Sequence, residues 1–458
     1  MPDPTLLWAP LAWTPTGWRE HVLLRIGGDG RWAEVTPDVA APPEGALTLE
    51  GPLLPGLVDA HSHAFQRAFA GRAERRDALA DDFWLWRDRM YRVALRITPA
   101  QLRAVAAQLY VELLKGGYTQ VCEFHYLQHD VDGQPYSDPL EMSWALADAA
   151  AETGIGLTLL PVLYERAGFT AALREDQRRF KASAESVWLA ATEIAAIRRP
   201  LVNAGLAIHS LRAALPASIG ELRRRAEGFA GPIHIHVAEQ TAEVDDCLHA
   251  TGSRPVAWLA KEGLLDPRWQ LVHATQTVRS EIDAVEKSGA GVVLCPSTEA
   301  NLGDGLADLR GWLAAGVPMT VGSDSHVTRD WREELRWLDY GQRLVLRQRN
   351  VSAAPQAGVP STAERLFSRV LAGSAAAAGE PAWGLVAGSR ADALVVDVRE
   401  DGLLGLAPGL ALDALLFSSP GRPWRDVMVA GRWAIRDHRH ANAEAIAGRF
   451  ETAMHELA

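Results

Sequence analysis

Residues 52–63 read PLLPGLVDAHSH: an apolar run broken at Pro55-Gly56, then Leu57-Val58, then Asp59-Ala60-His61-Ser62-His63. In an extended strand, residues i and i+2 project from the same face about 6.6 Å apart, so His61 and His63 can converge on one cation. Two polar residues at a strand end is the plain alternative, and the rest of the chain has to decide between them. From Leu57 to about Pro381, short apolar runs alternate with helical stretches such as TPAQLRAVAAQLYVELLKGG, whose apolar positions recur at helical spacing. Eight runs qualify as strands: GLVDAHSHAF, GYTQVCEFHY, GIGLTLLPVLY, GLAIHSLRAA, PIHIHVAE, WQLVHATQ, GVVLCPST and PMTVGSDSH. Eight alternations predict a (β/α)8 TIM barrel.

Outward from that repeat the text changes. Residues 1–57 are rich in Gly and Pro and hold short strand-like pieces (HVLLRI, RWAEV, ALTLEGPLLPG). After Ala382 comparable pieces return, GLVAGSRADALVVDV and DVMVAGRWAIRD, before a closing helical stretch. The expected organisation is a catalytic barrel over 58–381, bracketed by a small composite β-sandwich domain from 1–57 and 382–458.

Composition narrows the function. The chain has 458 residues, 46 Lys+Arg against 57 Asp+Glu, and a net charge of −11, with no basic run, which argues against nucleic acid and anionic membrane as partners. An acidic substrate must then be captured by a few locally placed arginines. Cys122, Cys247 and Cys295 lie far apart with no CxxC pair, so neither a disulfide framework nor a zinc knuckle is expected. No secretory signal pattern and no membrane-length apolar run is evident, and a cytoplasmic location is expected.

Ten of the fourteen histidines fall between His61 and His326, most of them at the C-terminal ends of predicted strands, where barrel active sites are built. The fifth strand carries His234 and His236 on one face, with Glu239 three residues later; His273 ends the sixth strand and Asp324 the eighth. Neutral imidazoles with a carboxylate suit zinc and leave room for a water. A hydrogen-bonded structural histidine is the competing explanation for any one of them, and it is accepted for His234, His129 and His249. Asp59 either braces the strand end or partners a ligating imidazole. His125 is expected behind the site, and Ser323 and Ser325 flank Asp324 where they could orient it.

HxH after the first strand, HVAE on the fifth, His on the sixth and SDSH on the eighth resemble the amidohydrolase superfamily, specifically its single-metal deaminase branch. The resemblance implies His61, His63, His236 and Asp324 as ligands of one divalent metal, with zinc favoured. It implies Glu239, His273 and Asp324 as the catalytic, proton-handling groups. The binuclear branch uses a lysine on the fourth strand, and GLAIHSLRAA has none. Related enzymes are homodimers, which sets the expectation here.

Further segments, HSHAFQRAFAG, FWLWRDRMYR, CEFHY and HSLRA, resemble the formiminoglutamate deiminases of histidine degradation, which release ammonia from a dicarboxylate amidine. Carried over, Gln66, Arg87, Tyr126, His209 and Arg212 form the substrate-binding set. Charge supplies an independent argument, because two carboxylates gain most from planar arginine contacts. From spacing alone, Arg212 is as easily a surface ion pair as a clamp, and Arg87, Arg89 and Arg92 are not separated. Phe83, Trp84 and Trp86 are read as packing. Two rivals stand beside this reading. One is a deaminase or chlorohydrolase of a guanine, adenosine-like or triazine ring, with the same metal set but no carboxylate-binding arginines. The other is an inactive scaffold of the same fold.

Overall fold

The computed structural model describes residues 5–74, 83–419 and 421–458. Eight strands fall on the eight runs read from the sequence: β1 (Leu57–Ser62), β2 (Tyr118–His125), β3 (Gly156–Leu163), β4 (Leu206–Ile208), β5 (Ile233–Val237), β6 (Trp269–His273), β7 (Gly291–Leu294) and β8 (Met319–Val321). They pair in parallel and in chain order. Every residue of these strands is buried, which is why most of them read as largely apolar runs.

The last seam of the barrel closes at the strand ends. Ser62 and Asp324 form a parallel bridge, the Asp324 amide donates to the His61 carbonyl at 2.9 Å, and the His63 amide donates to the Asp324 carbonyl at 3.3 Å. Gly322 permits this approach: a Cβ there would lie 2.6 Å from the Cβ of His61.

Three helices bear on the site: α1 (Phe83–Ala94), α2 (Pro99–Lys115) and α3 (Thr362–Ala378). The C-terminal end of α3 plugs the barrel at the end where the strands begin. The last carbonyls of a helix have no partner within it. Here the Ala377 carbonyl accepts from the Cys122 thiol and bonds His234 Nε2 at 3.0 Å, while that of Ala378 accepts from Thr158 Oγ1 and Asn203 Nδ2.

Both chain ends form one mixed sheet of nine strands, consistent with a small sandwich domain. Leu53–Leu54 joins them, running parallel to Leu6–Thr14 and antiparallel to Ala393–Val396. Leu7, Leu24, Trp32, Leu53, Val395 and Met428 pack as its separate apolar core. Arg390 ties the sheet to the barrel, donating to Gln120 Oε1 at 2.6 Å and to the Thr119 carbonyl at 3.0 Å while paired with Asp392. The closing helix, Ala443–Glu456, lies along α2. All three cysteines are buried and free. Among the described residues no helix is long and apolar enough to cross a membrane.

Candidate metal centre and active site

At the C-terminal ends of the strands, β1 delivers His61 and His63, β5 delivers His236, β6 delivers His273, and the turn after β8 delivers Asp324. The backbone bends sharply there. Ala238, His273, Asp324 and His326 all hold positive φ, between 48° and 69°, a conformation costly for side chains with a Cβ and found where a site needs them aimed.

His61 Nε2 lies 3.0 Å from His236 Nε2 and 3.4 Å from Asp324 Oδ1, and His63 Nε2 lies 3.5 Å from the same oxygen. His61, His63 and His236 can hold one cation, as can His61, His273 and Asp324. The chemistry of the donors fits a metal. His63 Nδ1 is bonded to the Phe124 carbonyl at 2.9 Å and so carries the proton, leaving Nε2 with its lone pair. Burial keeps His61 neutral, with its pKa drawn down to about 3, and lowers those of His63 and His236 as well. Burial opposes charge on Asp324 too, but the contact with His61 and the attraction of His273 and His63 hold its carboxyl below the usual range. Nitrogen and oxygen donors 3.0–3.5 Å apart match the edges of a tetrahedron with bonds of about 2.0–2.1 Å.

Glu239 and His273 stand beside this cluster, their Oε1 and Nε2 3.8 Å apart, with His273 Nε2 3.9 Å from Asp324 Oδ2. Burial pushes the Glu239 carboxyl up to about 7. Burial also disfavours a charged His273, but three facing carboxylates, Glu239, Glu299 and Asp324, outweigh it and raise the ring to about 10. Glu243 accepts from the amides of Ala238 and Glu239 and so fixes the turn that presents Glu239.

The five residues expected to bind substrate all line the pocket that opens over this cluster. Gln66 Nε2 reaches the Tyr126 hydroxyl at 3.5 Å, and His209 packs edge-on against both Tyr126 and His236. Arg212 follows on the β4 loop and is 7% exposed. Of the three arginines on α1, only Arg87 lines the pocket; Arg89 donates to the Ala73 carbonyl and Arg92 is exposed. Trp86 both packs on Phe69 and lines the pocket, whereas the side chains of Phe83 and Trp84 lie outside the described residues.

The other histidines sort by partner. His129 is bonded to the Lys181 carbonyl, and His249 sits on the exposed side of a helix. His125 is buried near Arg179, and among the described residues no hydrogen bond joins it to a site imidazole. Asp59 takes the bracing role: it accepts from the amide and hydroxyl of Ser323 across the barrel seam. Ser323 and Ser325 do not orient the Asp324 carboxylate, since their hydroxyls go to Asp59 and His326 and to Thr298.

Sequence reasoning missed Glu299, whose Oε1 lies 3.5 Å from His273 Nδ1 and also accepts the Cys295 amide. It missed Glu123, which accepts from Ser62 Oγ at 2.7 Å and from the Ala64 amide, holding the turn between and beyond the two β1 histidines. It also missed Tyr91 and Tyr164 on the pocket wall. A glutamate in STEAN or a tyrosine in VLYER has no spacing signal; only the fold brings it to the site.

The pattern of the amidohydrolase family matches residues 53–434, from the strand before β1 to the far side of the composite sheet. The chain belongs to the amidohydrolase family. Among its relatives, the formimidoylglutamate deiminase of Pseudomonas aeruginosa is 46% identical over 98% of this chain and 99% of its own length. The crystal structure of an amidohydrolase from Brucella melitensis superposes with a TM-score of 0.92 at 40% identity, covering 99% of both chains. An adenosine deaminase from Xanthomonas campestris, solved with bound zinc, shares the fold at a TM-score of 0.80 and 21% identity, covering all of this chain and 99% of its own.

Proposed function

We propose that this amidohydrolase hydrolyses the C–N bond of an amidine, converting N-formimino-L-glutamate and water into N-formyl-L-glutamate and ammonia, a step of histidine degradation. The observation that carries this reading is that two arginines, Arg87 and Arg212, share one pocket with the histidine cluster. A neutral ring brings no anionic group to such a pair, while a dicarboxylate does. End-to-end similarity to a formimidoylglutamate deiminase supports the same substrate.

In this reading His61, His63, His236 and Asp324 hold one divalent ion, zinc by ligand chemistry, which supplies a water of lowered pKa and positive charge beside the reacting carbon. Asp324, held ionised, takes a proton from the attacking water, with His273, cationic among its three carboxylates, beside it as a proton donor. Glu239, poised near neutrality in its buried position, hydrogen-bonds the formimino nitrogen. As water oxygen bonds to carbon and the C–N bond breaks, the departing nitrogen receives a proton from the His273–Asp324 side and leaves as ammonia. Gln66, Arg87, Tyr126, His209 and Arg212 keep the glutamate end still, so that the carbon stays within reach.

The test is ammonia release from N-formimino-L-glutamate by metal-analysed protein, with guanine and adenosine in parallel. Turnover of the diacid alone, with about one metal ion per chain, is expected. Turnover of a ring and not of the diacid would keep the barrel and remove the roles of Arg87 and Arg212.

A further inference from the structure

Gln177 lies on the short helical turn Glu175–Phe180, outside every motif read from the sequence, and is 1% exposed. Its amide orientation is fixed from both sides. Oε1 accepts the backbone amide of Arg174 at 3.1 Å, so Nε2 must face the other way, where it reaches the hydroxyl of Tyr164 at 2.9 Å and that of Tyr91 at 3.3 Å. A primary amide nitrogen is a donor only, with two hydrogens, and here each is spent on one tyrosine oxygen. Both phenols are thereby made acceptors toward Gln177.

Gln177 gives a hydrogen to each oxygen and takes none from either, so each phenol keeps its own hydrogen to donate elsewhere. Both tyrosines line the pocket together with Arg87 and Arg212, and the Arg87 guanidinium lies 5.5 Å from the Tyr91 ring centre. Burial holds the Tyr164 phenol well above its ordinary pKa, so it remains a donor across the working range. Tyr164 also packs against His209, which packs against His236, so the pair sits a layer outward from the metal ligands.

We infer that Tyr91 and Tyr164, oriented by Gln177 as a positioning residue, form with Arg87 and Arg212 a hydrogen-bond-donating subsite for the carboxylate remote from the reacting carbon. The inference rests on the dicarboxylate reading and adds the group that separates a diacid from a monoacid. Two guanidinium groups there favour a carboxylate and oppose an ammonium at the same position by like charge.

The test is calorimetric binding of N-formyl-L-glutamate and N-formyl-L-2-aminobutyrate, which lacks only the remote carboxylate, to wild type, Gln177→Glu and Tyr164→Phe. Gln177→Glu is nearly isosteric but accepts where glutamine donates, so it draws the phenolic hydrogens away from the pocket. The ratio of diacid to monoacid affinity is expected to fall about 10- to 100-fold in both variants, the range for a hydrogen bond to a charged group. A ratio within about threefold of wild type in both variants would overturn the inference. Tyr164→Phe removes a single oxygen and keeps the test intact should Gln177→Glu not fold. Turnover of the diacid by wild type, measured alongside, tests the substrate reading separately: binding that discriminates without turnover would leave the subsite and remove the reaction.

Discussion

His234 and His236 sit two residues apart on one strand, project to the same side, and are both buried, yet they do different things. His234 meets the carbonyl of Ala377 through Nε2 at the plugged end of the barrel, at 3.0 Å. His236 meets another imidazole nitrogen, that of His61, at 3.0 Å. Two imidazole nitrogens at that distance can share a proton or, in its place, a cation. Residue type and burial therefore do not distinguish a structural histidine from a ligand; the nature of the atom opposite does.

The most severe way to break this contrast is Asp324→Asn. The fold should persist by circular dichroism, because the backbone bonds of the seam remain, while turnover falls by about 10²- to 10⁴-fold with the proton-handling carboxylate gone. Substantial retained activity would remove Asp324 from the mechanism. Arg212→Met should raise KM for the diacid by orders of magnitude, since a desolvated charged contact is worth about 2–5 kcal/mol. An unchanged KM would return Arg212 to a structural role.

The histidine pair itself gives a matched test by elemental analysis and melting. His236→Ala should lose the bound divalent metal. His234→Ala should keep it and instead lose about 1–3 kcal/mol of stability, from one lost hydrogen bond to the Ala377 carbonyl and the space left by a buried ring. If both variants keep their metal, the contrast collapses.

A carboxylate with full partners gives the smallest effect. Burial raises the pKa of Glu112, but Arg67 at 2.8 Å, with Gln108 and Arg329, outweighs it and holds the carboxyl below its ordinary value. A depressed pKa gives stability that is present above the unfolded value and lost as pH falls through the folded one. Wild type should thus lose about 0.5–1 kcal/mol more than Glu112→Gln between neutral pH and the carboxylate range, as read by denaturant melts. Equal losses would mean that the Arg67 pair contributes nothing.

What the sequence made legible comes from the same physics. The barrel strands are buried on both faces, so they read as short, largely apolar runs, and His61, His63, His236, His273 and Asp324 stand at or just beyond their C-terminal ends. Arg87 was not separable from Arg89 and Arg92 by spacing, because the face that a helix turns inward is set by what it packs on, here Phe69 and the pocket rim. Glu299, Glu123 and Gln177 were invisible for a related reason. Each acts on a residue from another strand or loop, and no local period records such a partner, as with His273 and Glu299 on neighbouring barrel segments.

The barrel seam has one more consequence. Its last backbone bonds join His61 and His63 to Asp324, three of the four residues in the cation cluster. Whatever draws those side chains together also latches the first strand to the eighth, so occupancy of the site and integrity of the cylinder are linked quantities. The melting temperature of this protein should rise with free metal concentration and fall under a chelator, and a thermometer can serve as the gauge of how full the site is.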